Sequence, residues 1–255
     1  TRLTWQTTAN RLTIRPSSRL WNPSDLPNSR APLANSRQVV RVIAPDWRST
    51  TAELQRFARA TPNNAWQAIG QAIPVVLGRS GLAWGDGLHP NFVADVAAKC
   101  EGDGSAPAGI FALTALFGID GPQSRFAQSA NLPYRCATGD LKCIDDPASR
   151  YYNQIVDQSQ VAEIDWASSE DMRRPDTRYA IGAVVAHNPH NRPGAGSCIF
   201  LHVWQDAATP TAGCTAASLA DMTTVCTWLD AAANPLLVQL PQAEYEHYRQ
   251  PWALP

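Results

Sequence analysis

The chain has 255 residues, with 21 Lys+Arg against 22 Asp+Glu and a formal net charge of −1. That length allows one large domain or two small ones with a sizeable core, and the balanced charge, with no basic block, argues against a dominant nucleic-acid footprint. Twenty prolines and nine tryptophans argue against a helical bundle, and the longest apolar run, residues 108–119, is too short to span a bilayer.

Residues 1–36 are polar and carry Pro16, Pro23, Pro27 and Pro32, which reads as a loop-like arm with one strand at 11–14. The first firm strand is expected at 38–44. A short helix is expected at 50–60, where Leu54, Phe57 and Ala58 fall at helical spacing. Residues 65–70 and 73–78 read as paired strands. The glycine-dense stretches 78–87 and 101–113 read as tight turns. Residues 120–178 are mostly loop, of the kind that shapes a substrate cleft. Residues 179–186 and 197–204 are expected as buried strands. A helix follows over 218–229, capped by Ser218, with Asp221 at the capping-box position and Leu219, Met222, Cys226 and Leu229 inward. A last strand at 236–240 precedes an aromatic, loop-like tail. This predicts a mixed, β-rich α+β chain: an N-terminal extension over 1–64, a catalytic domain over 65–241 and a tail over 242–255.

Six cysteines stand at 100, 136, 143, 198, 214 and 226. Cys136 and Cys143 flank a polar turn and form the favoured disulfide pair. Cys100, Cys198 and Cys226 read as small buried apolar residues. No close Cys-x-x-Cys pair is present, so neither a metal nor another cofactor is expected.

Cys214 follows Gly213 just ahead of the expected helix, and His202 ends a buried strand twelve positions earlier. A helix N-terminus and an imidazolium each lower a thiol pKa, so the pair fits a nucleophile and its base. The pattern fits a buried structural cysteine equally well. Trp204 is expected on the same strand face as His202, walling a cleft. Tyr151, Tyr152 and Asn153 suit a sugar-peptide ligand or, alternatively, a core edge. Arg150 and Arg173 can fork onto carboxylates or form surface ion pairs. His187 and His190 have metal-like spacing, but Pro189 between them places both in a surface loop or at a cleft rim. His89 and His247 are assigned to loops, and Asp145 and Asp146 to turn capping.

His202, Thr211, Gly213 and Cys214 resemble the active-site segment of the YkuD-type L,D-transpeptidases, a histidine followed by Ser/Thr-x-Gly-Cys. Pro107, Gly109 and Phe111 are similar to a second element of that family. Segments 101–104 (EGDG), 145–153 (DDPASRYYN) and 169–172 (SEDM) resemble a proteobacterial YkuD-like subfamily. Two positions depart: Ala212 replaces a usual second histidine, and Ala216 a usual arginine or asparagine. The resemblance implies a YkuD-like fold, a strand-rich sandwich or barrel with a helix after the cysteine. It also implies a periplasmic enzyme acting on peptidoglycan stem peptides as donor and acceptor. Cys214 would attack the bond before the terminal D-alanine, and His202 would act as acid and base. The N–H groups of Ala212, Gly213 and Cys214 would hold the oxyanion, and the Val203 carbonyl would orient the imidazole. Thr211, Trp204, Arg150, Tyr151, Tyr152 and Asn153 would contact substrate. An L,D-carboxypeptidase or a wall amidase is the alternative on the same scaffold, and a non-catalytic peptidoglycan-binding module the rival from another class.

Overall fold

The computed structural model describes residues 32–90 and 97–255, so the strand expected at 11–14 lies outside the described residues. In chain order the strands are β1 (Gln38–Ala44), β2 (Thr51–Ala58), β3 (Gln67–Val76), β4 (Leu82–Trp84) and β5 (Ala106–Gly118). The long connection that follows holds α1 (Arg125–Ser129), β6 (Tyr134–Cys136), β7 (Leu141–Cys143), β8 (Ile155–Asp157) and β9 (Glu170–Asp171). The chain then forms β10 (Ile181–Val185), β11 (Phe200–Val203), β12 (Thr215–Ala217), α2 (Leu219–Trp228), β13 (Leu236–Pro241) and α3 (Gln242–Tyr248).

Pairing runs β1–β2–β3–β12–β11–β10–β5–β13 and returns to β1, so eight strands close into a barrel. Only β11/β12 and β1/β13 are parallel in this ring. Closure leaves no long open edge, and alternate side chains fill the interior. The narrowest seam is β3/β12, where Ala216 opposite Val76 is the one registered pair. β4 and β6 add to β5 as short parallel partners. The domain is therefore mixed α+β around a closed eight-stranded barrel. This corrects the YkuD-like catalytic fold expected from the motifs.

Strand pairing overrides local spacing in several places. Residues 51–58 form a strand, not a helix, because they pair antiparallel with β1 from Gln38↔Ala58 to Ile43↔Glu53. Leu54 is buried in the barrel, and the Arg41 guanidinium stacks 4.7 Å from the Phe57 ring. The two strands expected at 65–70 and 73–78 are one strand, β3. A bulge near Gln55 absorbs the irregularity, and the Gln55 amide donates to the carbonyls of Ile69 and Gly70 at 3.1 and 3.3 Å. β1 and β2 are barrel strands, so the barrel starts at Gln38, ahead of the division placed after residue 64. The tail is not a loop throughout: α3 brings Tyr245, and the turn after it Trp252, into the core.

α2 starts where its cap signal stands: Ser218 Oγ accepts from the Asp221 N–H at 3.1 Å. Its inward face is Met222, Val225, Cys226 and, just past its end, Leu229, at i, i+3, i+4, i+7 spacing. Leu219 is instead half exposed, at 49 %.

β8, β7 and β9 form a separate three-stranded sheet lying against the barrel. Under it sits a second core of Phe117, Met172, Tyr179, Phe200 and neighbours, with Phe117 and Phe200 edge-to-face at 5.0 Å. A disulfide ties this sheet to the barrel, and it joins Cys143 to Cys198. The expected Cys136–Cys143 pair is thus corrected: Cys136 is free on β6, hydrogen-bonded along β5. Proximity in sequence had favoured it; the packing of β7 against the β10–β11 connection brings Cys198 nearer.

Candidate functional site: a cleft at the ends of β11 and β12

His202 lies on β11 opposite Ala216 of the parallel strand β12, and Cys214 immediately precedes β12. The turn between them is held by its own side chain. Thr211 Oγ1 donates to the Cys214 carbonyl at 2.6 Å and accepts from the Gly213 N–H at 3.1 Å. The Thr211 N–H donates to the Leu77 carbonyl at 2.8 Å, which fixes the turn on the chain after β3. A Cβ at Gly213 would stand 3.1 Å from the Ser105 carbonyl oxygen, so only glycine fits there without displacement.

Cys214 and His202 open with Ala212, Thr211 and Trp204 into one cleft of about 110 Å³. The opposite wall comes from the long connection: Glu170 on β9, then Arg174, Arg178 and Tyr179. Tyr179 packs edge-on to His202 at 5.3 Å and donates its hydroxyl to Glu170. Asp176 bridges the two guanidiniums, at 2.6 Å to Arg178 and 3.4 Å to Arg174. Those bonds, that to Arg178 foremost, hold the Asp176 carboxyl down at about 2. Burial raises the Glu170 carboxyl, assisted by Asp145 and Glu101 nearby.

The electrostatics of the thiol reverse the sequence expectation. Burial pushes Cys214 up to about 12, helped by the Glu170 charge and only partly opposed by the Phe200 N–H, which reaches the sulfur at 3.3 Å. The helix that was to lower it starts five residues later, with β12 intervening. Burial also pulls His202 down to about 4, with Arg178 and Arg174 adding repulsion, so no imidazolium stands by. Its Nδ1 donates to the Val203 carbonyl at 2.8 Å. The Gly213 N–H, named for an oxyanion, is occupied by Thr211.

This predicts sluggish alkylation. At neutral pH a thiol of pKa 12 is about 10⁻⁵ thiolate, so iodoacetamide should label exposed Cys100 at least ~100-fold faster than Cys214. Comparable rates, read by peptide mass mapping, would show that the folded cleft activates the sulfur.

The other expected contacts lie elsewhere. Tyr152 is buried, donating to Glu101 and accepting from the Gly196 N–H at 3.1 Å. Asn153 spans the His187 and Asn188 carbonyls and the Cys198 N–H at 2.9–3.0 Å. Tyr151 packs edge-on to Trp166, and Arg150 pairs with Asp165 at 3.5 Å. These four brace loops and are not in the cleft lining. Arg173 is tied to the Ala137 carbonyl. His187 and His89 lie in loops but are buried rather than at the surface, and His247 lies in α3 instead of a loop. Asp146 accepts from the N–H groups of Ala148 and Ala167, a turn-capping pattern. The sequence reading missed Glu170, Arg174, Arg178 and Tyr179. The signal was the arginine-dense stretch 173–179 (RRPDTRY), of which only Arg173 was singled out.

No family model matches this chain, and no match is found among curated proteins or solved structures. Membership of the YkuD-type L,D-transpeptidases is therefore not supported, and the L,D-transpeptidase reading is corrected. Cys143 and Cys198 are consumed in a disulfide and cannot supply a thiolate, while Cys214 is held as the neutral thiol. With that thiol neutral and no relative in the comparisons, neither a cysteine acyltransferase mechanism nor the carboxypeptidase and amidase alternatives that share its thiolate is supported. Among the described residues no group of three or more His, Cys, Asp or Glu side chains is placed to hold a metal ion.

Proposed function

We propose that this chain is an exported binding domain whose cleft receives the carboxylate end of a peptide. The observation that carries this reading is the guanidinium pair Arg174 and Arg178 on the cleft wall, where Asp176 pairs closely with Arg178 and only at 3.4 Å with Arg174. Arg178 spends Nε and Nη2 on Asp176, whereas the Arg174 contacts are longer, at 3.4–3.5 Å. Arg174 is thus the more loosely held fork, and a ligand carboxylate can compete for it. Trp204, Tyr179 and Pro210 offer apolar and aromatic walls for the adjoining side chain, and Glu170 an acceptor for a ligand N–H. The volume suits one residue-sized group. Peptidoglycan stem peptides, the partner expected from the sequence, belong to this class. The Cys143–Cys198 disulfide supports an oxidising compartment such as the periplasm.

Calorimetric titration of a stem tetrapeptide against its C-terminal amide tests the reading. The free acid should bind tenfold or more tightly than the amide, since a charge-assisted bond contributes about 1.5–3 kcal/mol. Arg174→Gln should remove that preference and leave amide binding unchanged. Equal affinity for acid and amide would end the carboxylate assignment. Recovered peptide should keep its mass; a lost terminal residue would show turnover and overturn a purely binding role.

A further inference from the structure

A second cavity, of about 310 Å³, lies between the barrel wall and the three-stranded sheet. It shares no lining residue with the cleft. Cys198 and Phe200 stand between the two, since the Cys214 sulfur accepts from the Phe200 N–H and donates to the Cys198 carbonyl.

The cavity forms where the barrel seam slips. β10 and β5 pair in register from Ile181↔Gly118 to Ala183↔Leu116, then shift, so that Val185 meets Leu113. The extra residue falls in β5, where Thr114 and Ala115 together face Val184 and the ladder is broken. Leu116, Val184 and Ile199 make an apolar floor, and Ile155 of β8 closes over it. Two facing β-layers leave a slot, a shape that suits a flat ring. At the rim stands Arg135, exposed on β6, steered by a 2.9 Å bond to the Ile155 carbonyl. It has no ion-pair partner among the described residues.

We propose that this cavity is a second ligand site, for a small aromatic carboxylate. The ring lies between the Val184 side of the barrel and Ile155, and the carboxylate pairs with Arg135. The apolar floor supplies burial, and the unpaired guanidinium selects an anion over a neutral ring of the same size.

Methyl NMR of the full chain, titrated with benzoate and separately with neutral benzamide, tests this. Benzoate should shift the methyls of Val184, Ile199 and Ile155, with Kd of about 1 mM for so small a ligand. Benzamide should bind about tenfold more weakly, and Arg135→Gln should abolish that difference, as expected for loss of one charged hydrogen bond. Val184→Trp, at a half-buried position, should fill the slot and remove both responses. Shifts confined to Thr211 and Ala212 would place benzoate in the cleft and overturn the proposal. So would equal affinity for the two probes, or methyl resonances that do not move. Arg135→Gln leaves the core untouched, so the charge test stands even where Val184→Trp fails to fold.

Discussion

Lowering the pH from about 7 to about 4.5 is expected to remove a large part of this protein's folding free energy, because three buried imidazoles must stay neutral in the native barrel. Burial pulls His89, His187 and His202 each down to about 4. Geometry agrees with that direction. His89 Nδ1 accepts from the Ile110 N–H at 3.1 Å, so this nitrogen cannot carry a proton. His187 is locked from both sides, accepting at Nδ1 from Asp86 N–H and donating from Nε2 to the Ala195 carbonyl. A base whose pKa falls on folding binds more protons unfolded. The stability is therefore complete above the unfolded pKa near 6.5 and is lost as pH falls from there through the folded value near 4. Each imidazole contributes on the order of 3 kcal/mol across that window, against a typical total of about 5–15 kcal/mol. Glu170 works in the opposite sense, since its raised carboxyl favours the folded state at low pH, but it is one group against three. Asp176, held at about 2, gives up its contribution only below this window. Thermal melts followed by circular dichroism should show the midpoint falling steeply below about pH 6.5. His187→Gln should make that fall shallower. A midpoint constant down to pH 4.5 would show that the imidazoles titrate freely.

The second large effect belongs to the disulfide. Cys143 and Cys198 are 55 positions apart, so the bond closes a long loop that starts at the end of β7 and includes β8 and β9. Removing it frees unfolded-state entropy amounting to about 4 kcal/mol, which for a chain of this size lowers the midpoint by on the order of 10 °C. The paired Cys143→Ser, Cys198→Ser variant should show that loss by calorimetry at neutral pH. Amide exchange should rise first over β7, β8 and β9, and the β1–β2 hairpin should stay protected. The Asn153 bridges to His187, Asn188 and Cys198 hold the same sheet, so the variant is expected to remain folded at room temperature. A midpoint within about two degrees of the parent would mean that these polar ties alone anchor the sheet.

How much was legible in the chain varies by element, and the reason is the range of the interaction. β1, β13 and α2 were readable because their signals are local. A β-branched-rich run, Val39, Val40, Val42 and Ile43, marks β1, and a Ser218 cap with Asp221 marks α2. β2 was not readable, because its Leu54–Phe57–Ala58 spacing is helical and only pairing with β1 makes it a strand. The cleft was half legible. His202, Trp204, Thr211, Ala212 and Cys214 come from two short segments and were read together. Glu170, Arg174, Arg178 and Tyr179 arrive from the long connection only once the small sheet has folded against the barrel.

By itself the sequence determined which residue types could meet: a thiol, an imidazole, a glycine turn, an arginine-rich loop, and six cysteines among which only local spacing favoured a pair. Tertiary structure alone decided that β10 closes on β5 to make a barrel, that Cys143 meets Cys198, and that Cys214 and His202 are buried as neutral groups. Composition and spacing specify donors, acceptors and local backbone preference. Pairing partners and protonation states depend on which distant segments pack over a group and exclude water from it.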